Sequence, residues 1–204
     1  MRTTVAGVLL AAGEGSRFGR PKALVEVNGR TLAERGADLL RSGGADPILI
    51  VTGAAPVHVP GTQAVDNPDW RTGMGSSLRA ALRALTGAQD VNAVVVALAD
   101  QPLVGPDAVA RLIAAYRAGA SVAVAAYDGQ PRNPVLLARE HWPEVIAKAT
   151  GDTGARAFLR ARADLVTLVE CGDTGRPDDI DTPADLARIA AALARPPQRT
   201  DHAT

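Results

Sequence analysis

The sequence predicts an α/β protein with three layers, in which a Rossmann-like, mostly parallel sheet carries helices on both faces. Two patterns indicate this fold. Short apolar runs rich in Val, Leu and Ala alternate along the chain with stretches whose apolar residues have helical spacing. Hydrophobic residues make up 47% of the 204 residues but aromatic residues only 3%, so the core must be aliphatic, as in sheets of buried Val-rich strands.

The first half of the chain alternates strand and helix signals. Residues 5–12 form an apolar run that ends at glycine, which predicts a buried strand followed by a loop. Residues 31–41 place apolar side chains on one side of a helix that ends at two glycines. Residues 47–52 predict a second buried strand, and residues 64–66 a short third strand. A helix with leucines three or four residues apart then runs through residues 78–87.

The second half repeats the alternation, beginning with the strongest strand signal in the chain at residues 93–99. Helices are predicted over 107–116, 141–149 and 154–162, and strands over 121–127, 133–137 and 165–169. A closing helix over Pro183–Leu193 has Thr182 as its N-cap and proline at its first position. We expect one domain over residues 1–195 and a disordered polar tail over 196–204.

Composition excludes several classes of function. Lys plus Arg equals Asp plus Glu at 22 each, whereas a general nucleic-acid binder usually carries a basic excess. Cys171 is the single cysteine and only three histidines accompany it, too few for a zinc cluster. The first residues do not resemble a signal peptide, and no run approaches the roughly 18 apolar residues of a membrane span. We therefore expect a cytoplasmic protein with no nucleic-acid or membrane partner.

The glycine-rich segment at residues 9–22 is the most informative part of the sequence. Glycines directly after a strand let the backbone approach a ligand closely, and their free N–H groups can surround phosphate oxygens. Arg17 and Lys22 add positive charge where a polyphosphate would lie. The segment is not a P-loop, because Lys22 follows Pro21 rather than glycine. It also departs from a dinucleotide fingerprint, since its glycines fall at positions 13, 15 and 19.

Two further candidate binding sites are indicated by residues at the end of a predicted strand and at the start of a predicted helix. Asp100 ends the strand predicted at 93–99, and a carboxylate at the carboxyl end of a central strand would lie beside the glycine-rich loop and suit Mg²⁺. The small residues Gly75, Ser76 and Ser77 enter a helix, where free N–H groups can bind a base or phosphate. The alternative for Asp100 is a loop-opening residue before proline, and the alternative for Ser76 is a helix N-cap.

The segment LAAGEGSRFGRPK at residues 10–22 resembles the signature of MobA-like nucleotidyltransferases, and most closely their molybdenum cofactor cytidylyltransferase branch. The resemblance extends from residue 5 to about 193 and implies a GT-A-like nucleotidyltransferase fold. It implies that Arg17 and Lys22 bind the triphosphate and that the loop backbone surrounds the nucleotide. The nucleotide-binding residues it indicates there are Leu10, Ala11, Ala12, Gly13 and Gly15. The Leu-Ala-Ala-Gly form implies CTP, whereas Leu-Ala-Gly-Gly is the tendency of GTP users.

The resemblance also indicates the metal and acceptor residues. Asp100 corresponds to the metal-binding Asp of the family, and either Asp179 or Asp181 of the acidic turn completes the Mg²⁺ site or merely caps the last helix. Two glycine-marked loops resemble acceptor-side loops of the cytidylyltransferases. Their candidate acceptor-binding residues are Arg132, Asn133, Asp152 and Arg156. In the loop that carries Arg132 and Asn133, the glycine that relatives often have after the arginine is missing. This departure leaves the identity of the acceptor open.

The activity implied by the resemblance is transfer of CMP from CTP to the phosphate of molybdopterin or its molybdenum-loaded form. Arg17, Lys22 and Asp100 would be the catalytic residues, and a molybdoenzyme-maturation protein is an implied partner. Three alternatives stay open. They are nucleotidyl transfer to another phosphate acceptor with GTP, an NAD(P)H-dependent oxidoreductase similar to nicotine blue oxidoreductase, and a non-catalytic nucleotide-binding protein.

Overall fold

The computed structural model describes residues 3–16 and 18–194, so Arg17 and the predicted tail at 196–204 lie outside the described residues. The strands are β1 (Thr4–Leu10), β2 (Glu26–Val27), β3 (Arg30–Thr31), β4 (Ile48–Thr52), β5 (Gln63–Asp66), β6 (Val91–Leu98), β7 (Val122–Tyr127), β8 (Gln130–Ala138) and β9 (Val166–Glu170). The helices are α1 (Leu32–Ser42), α2 (Met74–Leu85), α3 (Pro106–Arg117), α4 (Trp142–Lys148), α5 (Arg156–Ala161) and α6 (Pro183–Leu193).

Seven strands form one sheet in the order β5-β4-β1-β6-β8-β7-β9. Its neighbouring strands are parallel except at β8, which pairs antiparallel with both β6 and β7. A two-residue turn causes this reversal: Asp128 and Gly129 have φ values of 52° and 73°, so β8 folds straight back beside β7. The predicted α/β fold with a mostly parallel sheet is confirmed.

The sheet is covered on both faces, which explains its continuous apolar strands. Val8 and Leu9 are neighbours in β1 and both are fully buried, although their side chains point to opposite faces. Helices α1 and α3 pack over the face that includes Leu9. Helices α2, α4 and α5 pack over the face that includes Val8. The predicted three-layer arrangement is therefore present.

A small hairpin, β2–β3, was absent from the sequence prediction. Asn28 and Gly29 form its turn with positive φ values of 50° and 74°. Val27 in this hairpin packs against Ile180 and against Ile189 of α6 in a third apolar cluster. Helix α6 begins with the predicted Thr182 N-cap, whose hydroxyl accepts from the backbone N–H of Asp185. The cluster thus fixes the segment before α6 beside the loop that follows β1.

Candidate active site

The loop after β1 turns back on itself at Gly15, which has a φ of 62°. A Cβ atom at this position would overlap the carbonyl oxygen of Arg20 and would lie 3.1 Å from the side chain of Lys22. Glycine is therefore required here for both its left-handed backbone and its lack of a side chain. The turn directs Lys22 towards the carboxyl ends of β1 and β6.

Lys22 is held between two carboxylates from distant parts of the chain. Its Nζ donates to Asp100 Oδ2 at 3.0 Å and to Asp181 Oδ1 at 2.7 Å. Burial disfavours the charged ammonium, but the hydrogen bonds and charges of Asp181 and Asp100 outweigh it, so the pKa of Lys22 is raised. Lys22 is thus a fixed positive charge at the point where the β6 loop meets the segment before α6.

Asp179 is near this trio but has a different hydrogen-bond partner. Its Oδ1 accepts from Gln101 Nε2 at 2.8 Å, and burial raises the pKa of its carboxyl group. Within residues 3–16 and 18–194, no three His, Cys, Asp or Glu side chains are grouped as a metal cluster. Mg²⁺ is commonly held by only one or two carboxylates plus substrate phosphates, so the convergent oxygens of Asp100 and Asp181 fit such an ion. The geometry groups Asp181, rather than Asp179, with Asp100.

A cavity of about 490 Å³ opens at the carboxyl ends of β1 and β6; we call it the first cavity. Among the predicted nucleotide-binding and catalytic residues, it is lined by Leu10, Ala11, Ala12, Gly13, Lys22, Ser77 and Asp100. The sequence reasoning missed Trp70 and Arg71, which also line it. The Arg71 guanidinium lies 4.4 Å from the centre of the Trp70 ring. This stack presents an aromatic surface with a cation, and Trp70 could have been found as one of only two tryptophans in the chain.

Ser76 faces away from the first cavity. Its Oγ lies 2.8 Å from the Gly73 carbonyl oxygen and accepts from Asn67 Nδ2 at 2.8 Å. Asn67 also donates to Ser77 Oγ at 3.0 Å. Ser76 is the third residue of α2 and Gly73 is the N-cap, so the alternative of a Ser76 N-cap is wrong. The buried amide and hydroxyls instead fix the turn that carries Trp70.

Gly75 and Gly15 also line neither of the cavities described here. A Cβ atom at Gly75 would lie 2.7 Å from the backbone at Ala149 and Thr150, closer than real Cβ contacts. We therefore expect Gly75→Ala to destabilise the protein by about 1–3 kcal/mol in chemical denaturation, because backbone cannot yield as a side chain does. Gly87→Ala, where a Cβ would meet nothing within 4 Å, is the matched control. Equal stability of the two variants would contradict this account.

A second cavity, of about 1060 Å³, adjoins the first and shares Met74 and Leu98 with it. Of the predicted acceptor and metal residues, it is lined by Arg132, Asn133, Arg156 and Asp179. Asp152, predicted on the acceptor side, lines the first cavity instead and accepts from the N–H of Met74 at 3.4 Å. Asp100 faces the first cavity and the adjacent Gln101 faces the second. The Lys22 trio therefore lies close to the junction of two binding spaces.

The chain was compared with known proteins. A family profile described as the MobA-like NTP transferase domain matches residues 7–166. Nicotine blue oxidoreductase of Paenarthrobacter nicotinovorans is 39% identical, over 91% of this chain and 96% of that protein. A probable molybdenum cofactor guanylyltransferase of Opitutus terrae is 33% identical, over 62% of this chain and 63% of that protein.

Solved structures show the same fold. The Rv0371c homolog from Mycobacterium sp. strain JC1 aligns with a TM-score of 0.81 and 29% identity, over 95% of this chain and 98% of that one. Mycobacterium tuberculosis Rv0371c in complex with manganese aligns with a TM-score of 0.75 and 27% identity, over 93% of this chain and 100% of that one. No helix in the described part of the chain is long and apolar enough to cross a membrane. By sequence and fold, the chain is a nucleotidyltransferase that belongs to the MobA-like NTP transferase family.

Proposed function

We propose that this chain transfers CMP from CTP to the phosphate of molybdopterin, or of its molybdenum-loaded form, with Mg²⁺ and release of pyrophosphate. The observation that carries the proposal is the Lys22–Asp100–Asp181 trio beside the junction of two cavities. Such a junction lets a nucleotide and an acceptor approach each other from opposite sides. The similarity to a probable molybdenum cofactor guanylyltransferase supports the acceptor class.

The alanine at position 12 in the wall of the first cavity supports a pyrimidine nucleotide. A Cβ atom placed at Gly53 would lie 2.9 Å from Ala12 Cβ and 2.6 Å from Trp70 Cβ, so the glycine at 53 lets the backbone pack closely against these two residues. Both Ala12 and Trp70 line the first cavity. A methyl group at residue 12 narrows the cavity compared with glycine, which favours the smaller base of CTP over the purine of GTP.

In the proposed reaction, an oxygen of the acceptor phosphate attacks the α-phosphorus of CTP, and the bond between that phosphorus and the bridging oxygen to the β-phosphate breaks. Pyrophosphate leaves, and the acceptor gains CMP through a new phosphoanhydride bond. The attacking phosphate is already anionic, so no protein side chain needs to remove a proton. The protein residues act by positioning and by charge neutralisation.

Each charged residue has a role in this proposal. Lys22, together with Arg17, neutralises the charge that develops on pyrophosphate. Asp100 and Asp181 would hold Mg²⁺, which when bound supplies Lewis-acid neutralisation of phosphate charge. Arg132 and Arg156 line the second cavity and provide positive charge for an anionic acceptor.

The direct test is to incubate the protein with Mg²⁺, molybdopterin and CTP labelled at its α-phosphate. We expect labelled cytidylylated pterin and one pyrophosphate for each CMP transferred. The same assay with GTP and ATP measures base preference. Transfer from GTP but not from CTP would refute CTP as the nucleotide donor. Transfer only to a different phosphate acceptor would refute molybdopterin as the acceptor.

Replacement of Ala12 by glycine should shift the base preference. Removal of one methyl group from the wall of the first cavity gives more room for a purine, so the ratio of kcat/KM for CTP to that for GTP should fall by about tenfold. Steady-state kinetics with both nucleotides measures this ratio. Ala118→Gly, at the exposed end of α3, is the control and should leave the ratio unchanged. An unchanged ratio in Ala12→Gly would remove the argument for CTP from residue 12.

A second candidate is an NAD(P)H-dependent oxidoreductase that acts on nicotine blue. Its support is the 39% identity to nicotine blue oxidoreductase over nearly the whole chain. Calorimetric titration with CTP, GTP, ATP and NADPH, with and without Mg²⁺, separates the candidates. Tight binding of NADPH without binding of any triphosphate, followed by NADPH oxidation in the presence of nicotine blue, would replace the proposed transfer. CTP binding that strengthens with Mg²⁺ would support the transferase.

A further inference from the structure

The segment that carries Arg132 and Asn133 is not held by the sheet. The β7–β8 ladder pairs Ala126 with Pro131 and resumes only at Val124 with Val135. One residue of β7 therefore faces three residues of β8, at positions 132–134. The β6–β8 ladder also begins at Val135, so neither neighbouring strand pairs with these three residues. Their position therefore depends on the paired residues on either side of them and on what holds the hairpin turn.

The hairpin end, where Tyr127 pairs with Gln130, is also held by one carboxylate, that of Glu170 at the end of β9. Its Oε1 accepts from the backbone N–H of Asp128 at 3.2 Å, and its Oε2 accepts from Gly129 N–H at 3.1 Å. Oε1 also accepts from Gly172 N–H at 2.9 Å. The N–H groups of Gly129 and Gly172 contribute most to lowering the pKa of Glu170, so the side chain is an anion at neutral pH.

Glu170 is itself well anchored. Its backbone pairs in register with Ala126 of β7, and its carbonyl oxygen accepts from Arg111 Nη1 at 2.8 Å. Arg111 belongs to α3 and also makes an ion pair with Asp173 just beyond β9. The carboxylate is therefore a rigid support for the turn, joined through Arg111 to the layer of helices beneath the sheet.

We propose that Glu170 is a positioning residue for the second cavity: it clamps the 128–129 turn and so holds Arg132 and Asn133 where they bind the acceptor. This inference rests on the proposed function, because it takes the second cavity to be the acceptor site. Glu170 does not line either cavity and would touch neither substrate. Its removal should weaken acceptor binding while CTP binding, in the first cavity, stays the same.

The test compares Glu170→Gln with Glu140→Gln, an exposed glutamate elsewhere on the surface. The amide of glutamine keeps the size of the side chain but loses the charge and one acceptor oxygen. We expect Glu170→Gln to bind molybdopterin about tenfold more weakly in the absence of CTP, as for loss of one charge-assisted hydrogen bond. Its affinity for CTP should remain within about twofold of wild type, which also shows that the variant is folded.

Hydrogen exchange provides a readout that does not depend on activity. The backbone N–H groups of Asp128 and Gly129 should exchange faster in Glu170→Gln, and those of Glu140→Gln should match wild type. Equal molybdopterin affinity in wild type and Glu170→Gln, or unchanged exchange at the turn, would overturn the clamp. Failure of the wild-type protein to transfer CMP, although it binds molybdopterin more tightly than Glu170→Gln does, would count against the proposed function and leave the clamp standing.

Discussion

Replacement of Asp100 by asparagine should reduce the rate of CMP transfer by about 10²–10³-fold, the usual effect of removing one preorganised electrostatic group from an active site. Asparagine keeps the shape but loses the negative charge that Mg²⁺ and Lys22 both require. The backbone should be unaffected, because the Asp100 carbonyl oxygen still accepts from the N–H of Ile180, at 2.9 Å in the wild type. The measurement is the single-turnover rate with labelled CTP.

Stability separates this chemical effect from misfolding. The Lys22–Asp100 pair is partly exposed, with 21% and 27% of the two side chains accessible, so its loss should cost no more than about 1 kcal/mol. Asp90→Asn, on an exposed turn before β6, is the matched control and should retain full activity. Unchanged turnover in Asp100→Asn would refute the proposed metal role of this carboxylate.

Replacement of Lys22 by methionine should lower kcat/KM for CTP by about 10²–10³-fold. The variant lacks the cation that we propose neutralises the departing pyrophosphate, and it leaves the carboxylates of Asp100 and Asp181 without their shared partner. Lys22→Arg should recover only part of the activity, because a planar guanidinium cannot reproduce a compact ammonium between two carboxylates. Steady-state kinetics and calorimetric CTP binding distinguish effects on turnover from effects on affinity.

The chain offers a close control for Lys22, since it contains only one other lysine. Lys148 lies on α4, where its Nζ is 3.9 Å from Glu144 Oε1, and its side chain is 39% exposed. Lys148→Met changes the net charge of the protein by the same amount as Lys22→Met does. It should transfer CMP at the wild-type rate. If both lysine variants lose activity equally, the loss is caused by the change in net charge or stability, and a specific role of Lys22 in the site is refuted.

Much of the fold could be predicted because the strongest signals are local. The strand at β6 and the glycine-rich loop after β1 each carry their information within a few residues, and they place Lys22 and Asp100 at neighbouring strand ends. The β2–β3 hairpin was missed although the Asn28-Gly29 pair is a strong hairpin signal. Its two strands are only two residues each, too short for a periodic pattern to reveal them.

The remaining details depend on contacts between distant segments. Asp179 and Asp181 are two residues apart in an extended segment, so alternation gives no preference between them. The structure gives them different partners: Gln101 donates to Asp179, whereas Lys22 donates to Asp181. The inward orientation of Ser76 likewise depends on Asn67, which the sequence alone does not place beside it. Asp152 reaches the first cavity because its turn contacts the start of α2.

The ion pair between Lys22 and Asp181 joins residues 159 positions apart. During translation the ribosome releases the glycine-rich loop and β6 long before it releases Asp181. Proteins are built from the N-terminus, so a nascent chain can form β1, β6 and the Asp100 loop while the trio is still incomplete. The cluster that joins Ile180 and Ile189 to the β2–β3 hairpin lies beside Asp181, so we expect its packing to bring Asp181 to Lys22. The proposed catalytic trio is therefore completed only after the segment before α6 has been synthesised.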